Sequence, residues 1–78
     1  MSELKYETRI TQVVVVPEGE ATCSELATTI QIEDEAEGIE FLSIRQNLKP
    51  EAYVRIYPQE WPMLRAAIDD MMAKCRRD

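Results

Sequence analysis

Hydrophobic and polar positions alternate along much of the chain, and a period of two residues predicts β-strands. The clearest alternation is in the segment Tyr-Val-Arg-Ile-Tyr at residues 53–57. Residues that favour turns separate this segment from three earlier stretches of the same kind. The pattern therefore predicts four strands, over about residues 4–16, 26–34, 39–46 and 52–57.

The hydrophobic period changes at Trp61, after which apolar residues recur every three or four positions, as on one face of a helix. Two prolines limit where this helix begins, because the ring of Pro62 would collide with the carbonyl of Pro58 if both lay inside it. A start near Glu60 places Pro62 in the first turn, where its missing N–H costs no hydrogen bond. We therefore predict a helix over about residues 60–76. Two i,i+4 ion pairs are expected on its exposed side, Arg65 with Asp69 and Asp70 with Lys74.

Four strands followed by one helix predict an α+β fold, in a single domain spanning residues 1–78. Because the turns between the strands are short, we expect a four-stranded antiparallel meander sheet followed by the C-terminal helix, ββββα. Alternation also assigns the side chains to the two faces of the sheet. One face is almost entirely aliphatic, and we expect it to form the core beneath the helix. Its predicted members are Ile10, Val14, Val16, Leu26, Ile30, Ile32, Leu42, Ile44, Val54 and Ile56.

The opposite face of the predicted sheet interleaves aromatic and basic residues. Its candidate binding residues are Lys5, Arg9, Phe41, Arg45, Tyr53, Arg55 and Tyr57. Aromatic rings stack on nucleic-acid bases, and arginine neutralises phosphate or stacks on a base. This combination predicts a binding surface for single-stranded DNA or RNA. The same pattern also fits a solvated or partner-covered face, because aromatic residues favour sheets in general.

Composition and charge narrow the range of partners. The chain is 45% hydrophobic and 31% charged, which is typical of a globular domain. With 15 acidic and 9 basic residues, its net charge of −6 repels polyanions unless the basic residues are grouped. No apolar run is long enough for a membrane span, and no secretory signal is visible. We therefore expect a cytoplasmic protein without a membrane partner.

The sequence offers little for catalysis or cofactor binding. It contains no histidine, which removes the most common general base and the usual nitrogen ligand of zinc. Cys23 and Cys75 lie far apart without an evident basic partner, so we interpret them as reduced thiols, with Cys75 packed on the helix. The acidic residues between 33 and 40 lack the spacing of a calcium loop and are interpreted as a solvated turn. We predict neither an enzyme nor a metal or cofactor site.

The predicted helix carries more apolar surface than one contact with the sheet requires. One side of it can pack on the sheet, while the flank meets a twin helix in a two-fold contact. A second subunit would also enlarge the thin core of so short a chain. We therefore predict a homodimer, with an interface formed by Leu64, Ile68, Met71, Met72 and Cys75.

Residues 53–64, Tyr-Val-Arg-Ile-Tyr-Pro-Gln-Glu-Trp-Pro-Met-Leu, also resemble a known family. An alternating strand followed by Pro-x-x-Trp-x-x-Leu at the start of an amphipathic helix resembles the C-terminal part of the positive cofactor four family. These proteins are single-stranded-DNA-binding transcriptional coactivators, with bacterial and phage relatives. The resemblance implies a curved antiparallel sheet, homodimerisation through the helix and a concave face that binds single strands. The family's strand-face positions would be Arg45, Tyr53, Arg55 and Tyr57 here.

An alternative interpretation is a protein-interaction or assembly module whose aromatic face meets another protein rather than nucleic acid. The two hypotheses differ in their response to salt. Phosphate contacts lose affinity steeply as salt rises, whereas an aromatic protein interface is much less sensitive.

Overall fold

The computed structural model describes residues 3–76, which form one antiparallel sheet followed by one helix. The elements are β1 (Gln12–Val15), β2 (Thr28–Asp34), a short 3-10 turn (Ala36–Gly38), β3 (Glu40–Gln46), β4 (Tyr53–Ile56) and α1 (Trp61–Lys74). The strands lie in the order β1-β2-β3-β4, and each pairs antiparallel with the next. The predicted α+β meander with a C-terminal helix is confirmed.

The β1–β2 and β2–β3 connections each contain a glycine at a turn. Gly19 and Gly38 have φ angles of 86° and 77°, in the left-handed region that favours glycine. The stretch before β2 consists of turns. The side-chain amide of Asn47 fixes it by donating hydrogen bonds to the carbonyl oxygens of Thr22 and Ser24, at 3.2 Å and 2.8 Å. These bonds tie the loop before β2 to the end of β3.

The first strand differs from the prediction in length and in phase. It covers only Gln12–Val15, and residues 3–11 contain no strand. Val13 pairs with Ile30 and therefore lies on the aliphatic face, whereas Val14 pairs with Thr29 on the opposite face. The assignment of Val14 to the aliphatic face is wrong, because a run of four valines has no alternation from which its phase can be deduced. Three further residues assigned to that face, Ile10, Val16 and Leu26, lie outside the strands.

The helix begins as predicted but does not pack over the sheet. It starts at Trp61, with Pro62 in the first turn, and it makes the two expected ion pairs at 3.9 Å and 3.2 Å. Among the described residues, none of the strands packs substantially against α1, and Met72 is 65% exposed. The turn before the helix sets its direction: the Glu60 N–H donates to the Tyr57 carbonyl at 3.1 Å, and the Tyr57 N–H donates to the Glu60 carboxylate at 3.0 Å. The prediction that the helix covers the aliphatic face is wrong for the single chain.

The aliphatic face is therefore only partly covered, and its central residues are half-buried. Ala27, Phe41 and Ile56 are the buried hydrophobic residues of the described region, whereas Val13 and Val54 are more than half exposed. The radius of gyration is 16.4 Å, compared with about 11.5 Å for a compact chain of this length. The accessible surface is 7349 Å², compared with roughly 4,900 Å² expected for this mass. A single chain thus leaves much of its own apolar surface in water.

Candidate nucleic-acid interface

The register of β3 and β4 brings the aromatic and basic side chains together on one side of the sheet. Residues directly opposite in an antiparallel ladder point to the same face. Three such rows follow one another, Arg45–Tyr53, Ser43–Arg55 and Phe41–Tyr57, the last member lying just beyond the end of β4. We call the surface formed by Phe41, Arg45, Tyr53, Arg55 and Tyr57 the Arg/Tyr face.

Arg45 and Tyr53 form a pair at one end of this face. The guanidinium carbon of Arg45 lies 5.1 Å from the centre of the Tyr53 ring, a cation–π distance. Tyr53 is 45% exposed, so part of its ring remains free to stack. Within residues 3–76, Arg45 makes no ion pair, and its buried Nε has no hydrogen-bond partner. This arginine therefore keeps its charge available for an anionic ligand.

Phe41, by contrast, is a packing residue and not an open stacking surface. It is only 4% exposed, although it belongs to the face that was predicted to be open. The guanidinium of Arg55 covers its ring at 4.7 Å, and the Tyr57 ring packs beside it with centroids 5.4 Å apart. The prediction that Phe41 offers its ring to a ligand is wrong, because its cross-strand neighbours fold over it. It supports Arg55 and Tyr57, which lie over its ring.

A carboxylate from the β2–β3 turn also reaches the Arg/Tyr face. The Tyr57 hydroxyl donates a hydrogen bond to Oε1 of Glu35 at 2.6 Å, and Nη1 of Arg55 lies 3.7 Å from the same oxygen. This hydrogen bond to a carboxylate raises the pKa of Tyr57 above its ordinary value. The sequence interpretation missed Glu35 by treating the acidic segment as a solvated turn. The only sequence signal for this contact was that the acidic turn lies directly before Phe41, at the start of β3.

The two most N-terminal candidates, Lys5 and Arg9, lie outside the strands, and Arg9 is engaged by a carboxylate. The Arg9 guanidinium donates to both carboxylate oxygens of Glu40, at 2.9 Å and 3.4 Å. Glu40 lies in phase with Leu42, on the aliphatic side of β3. The hydrogen bond and charge of Arg9 lower the pKa of the Glu40 carboxyl. Lys5 is exposed and outside the strands. The prediction that Lys5 and Arg9 belong to the Arg/Tyr face is wrong, because the predicted first strand was too long and its alternation was in the wrong phase.

The five predicted dimer residues line one apolar groove along α1. The groove holds about 300 Å³, and its lining is Leu64, Ala67, Ile68, Met71, Met72 and Cys75. The Cys75 thiol is free and exposed, as is that of Cys23, so neither is packed against another element. A second apolar groove of about 230 Å³ lies where the aliphatic face meets the start of the helix, between Leu42, Ile56 and Trp61.

Metal and membrane sites are not evident in the part of the chain that is described. No group of three or more acidic or cysteine side chains converges there on a position that would hold a metal ion. None of its helices has the length and apolar character needed to cross a bilayer.

Comparison with known proteins adds no relative. No family model matches the chain, and neither a curated protein nor a solved structure matches it. The resemblance to the positive cofactor four family thus remains a prediction based on residues 53–64 and on the order of the elements.

Proposed function

We propose that this protein binds single-stranded DNA or RNA on the Arg/Tyr face. The observation that carries the proposal is the adjacency of two arginine–aromatic pairs, Arg45 with Tyr53 and Arg55 with Phe41, on neighbouring strands of one face. A base stacks on the exposed ring of Tyr53 or on the plane of the Arg45 guanidinium, and the arginine charges neutralise the adjacent phosphates. Stacking of this kind tolerates any base, because every base has a π-face.

Single strands are favoured over duplex by the same chemistry. A duplex hides the faces of its bases and offers mainly phosphate, which a chain of net charge −6 repels. Several of the described cations are already neutralised by carboxylates, among them Arg9 and Arg65. We therefore expect modest affinity and a shallow dependence on salt, since few phosphates are neutralised per chain.

A second copy of the chain is the partner that the uncovered apolar surface fits best, and we include a homodimer in the proposal. The accessible surface exceeds that of a compact chain by about half. This excess is comparable to the roughly 1,000–2,500 Å² that each subunit of an obligate dimer buries. The helix groove around Ile68 and Met72 and the groove beside Trp61 supply exposed apolar surface for a two-fold contact, in which each subunit contributes the same patch.

The test is a titration with labelled oligothymidylate at low salt, followed by fluorescence anisotropy, with a duplex as the comparison. Tyr53→Leu should weaken binding by about 1–3 kcal/mol if a base stacks on the ring. Arg45→Gln should weaken binding. It should also reduce the slope of the logarithm of the binding constant against the logarithm of the salt concentration by about 0.7, the contribution of one single-strand phosphate.

The matched control is Arg65→Gln, which removes the same charge from the exposed side of α1, away from the Arg/Tyr face. It should change binding much less than Arg45→Gln. Absence of single-strand binding by the parent protein, or equal binding by Tyr53→Leu, would contradict the proposal.

A protein-interaction module is the second candidate function, and the partly uncovered aliphatic face favours it. Val13 and Val54 are more than half exposed on that face, and the acidic net charge suits a protein partner better than a polyanion. Binding to such a partner would persist at salt concentrations that abolish contacts with phosphate.

A further inference from the structure

The Glu35 carboxylate occupies a position on the Arg/Tyr face where a ligand phosphate would be expected. Its Oε1 atom accepts a hydrogen bond from the Tyr57 hydroxyl at 2.6 Å and lies 3.7 Å from Nη1 of Arg55. A phosphate oxygen makes the same kinds of contact, with a hydroxyl donor and with a guanidinium. Two groups of the proposed site are therefore already engaged by an anion of the protein itself.

The backbone holds Glu35 at this place, while its side chain is free to leave. The Glu35 N–H donates to the Ile39 carbonyl at 2.6 Å, which closes the turn around the 3-10 segment. Glu37 and Gly38 adopt left-handed φ angles of 69° and 77° to complete the turn. The Glu35 and Arg55 side chains are 43% and 49% exposed, and an ion pair in such contact with water is held weakly. A ligand can thus displace the carboxylate without unfolding the turn.

We infer that Glu35 is an internal competitor, whose carboxylate takes the place of a ligand phosphate between Arg55 and Tyr57 until a single strand displaces it. This inference rests on the proposed function. A lone small anion gains only the contacts that Glu35 already makes, so it has little advantage over the carboxylate. A nucleic-acid strand also gains stacking at Tyr53 and the charge of Arg45, which together form the row next to Arg55. Glu35 thereby favours strands with bases over simple anions.

The experiment compares Glu35→Gln with Glu37→Gln. Both variants change the net charge by the same amount within the same turn, so long-range electrostatic effects are matched. Of these two glutamates, only Glu35 makes the contacts with Tyr57 and Arg55 in the described structure. At low salt, Glu35→Gln should bind labelled oligothymidylate about two- to tenfold more tightly than Glu37→Gln, because the ligand no longer displaces a charged partner. Equal affinity of the two variants would overturn the inference.

A second measurement tests the contact without any ligand. Ultraviolet titration of the tyrosines should show one hydroxyl whose pKa falls in Glu35→Gln and stays unchanged in Glu37→Gln, since the hydrogen bond to Glu35 raises the pKa of Tyr57. A tyrosine titration that is unchanged in Glu35→Gln would mean that the contact is not formed, and the inference would fall.

The outcomes also separate this inference from the proposed function. If the parent binds oligothymidylate and the two variants bind equally, Glu35 is no competitor but the proposed function stands. If the parent fails to bind while Glu35→Gln binds, the carboxylate blocks the face without being displaced, and the proposed function of the parent protein is contradicted. If neither the parent nor Glu35→Gln binds, both are overturned.

Discussion

Replacing Phe41 by alanine separates the residues that hold the Arg/Tyr face together from those that meet a ligand. Core Phe→Ala substitutions cost about 3–5 kcal/mol, depending on how far the surroundings collapse into the space. Phe41 is 4% exposed, but its cover consists of the long Arg55 side chain and the Tyr57 ring, which can move into the vacated volume. We therefore expect Phe41→Ala to lower the free energy of unfolding by about 3 kcal/mol, near the lower end of this range.

This loss is large for so small a protein, whose free energy of unfolding is expected to be about 4–12 kcal/mol. Urea denaturation followed by far-ultraviolet circular dichroism would measure it, at one fixed protein concentration because dimerisation adds a concentration-dependent contribution. Tyr53→Ala is the comparison on the same face. Its ring is 45% exposed, so it should cost less than about 1 kcal/mol in stability while weakening oligonucleotide binding.

The opposite ranking would refute this reasoning. If Phe41→Ala lowers the free energy of unfolding by less than about 1 kcal/mol, the ring is not buried beneath Arg55 and Tyr57. If Tyr53→Ala proves the more destabilising of the two, Tyr53 has a structural role and its place in the proposed site is lost.

Two further predictions concern the dimer and an ion pair. Met72→Asp places a charge in the apolar groove of α1 and should convert the dimer to a monomer in sedimentation at tens of micromolar; a monomeric parent would contradict the prediction. Since Arg9 lowers the pKa of Glu40, their contact should stabilise the fold above the ordinary carboxyl pKa and be lost as the pH falls through the lowered value. In an NMR titration, Arg9→Gln should therefore raise the pKa of Glu40, and an unchanged value would count against the contact.

The order of the elements was predictable because it depends on local periodicity. The alternation at residues 53–57 and the change of period at Trp61 are properties of short segments, and the structure places β4 and α1 there. The two helix ion pairs were likewise predictable from i,i+4 spacing. The start of α1 followed from the backbone chemistry of Pro62. None of these features depends on distant parts of the chain.

The features that were not predictable depend on pairing across the sheet. The phase of β1 is set by the pairing of Val13 with Ile30, and four successive valines carry no signal of it. Arg9 and Glu40 are far apart in sequence and meet only through the fold. The burial of Phe41 depends on its diagonal contact with Arg55 from β4. The amphipathic period of the helix likewise indicates which side is apolar, but not what covers it.

Folding, dimerisation and ligand binding are linked in this protein if a second copy covers the aliphatic face. Three buried hydrophobic residues in the described region make a small core, and exposed apolar residues such as Val13, Val54 and Met72 are left for a partner. Because a partner that binds only the folded chain stabilises it by mass action, the midpoint of thermal unfolding should rise with protein concentration. The Arg/Tyr face lies on the other side of the same sheet, so its geometry should also depend on that partner. Oligonucleotide affinity should then fall when the protein is diluted below its dimer dissociation constant. A thermal midpoint and an affinity that are both independent of concentration would mean that the single chain is stable and competent to bind with its aliphatic face in water.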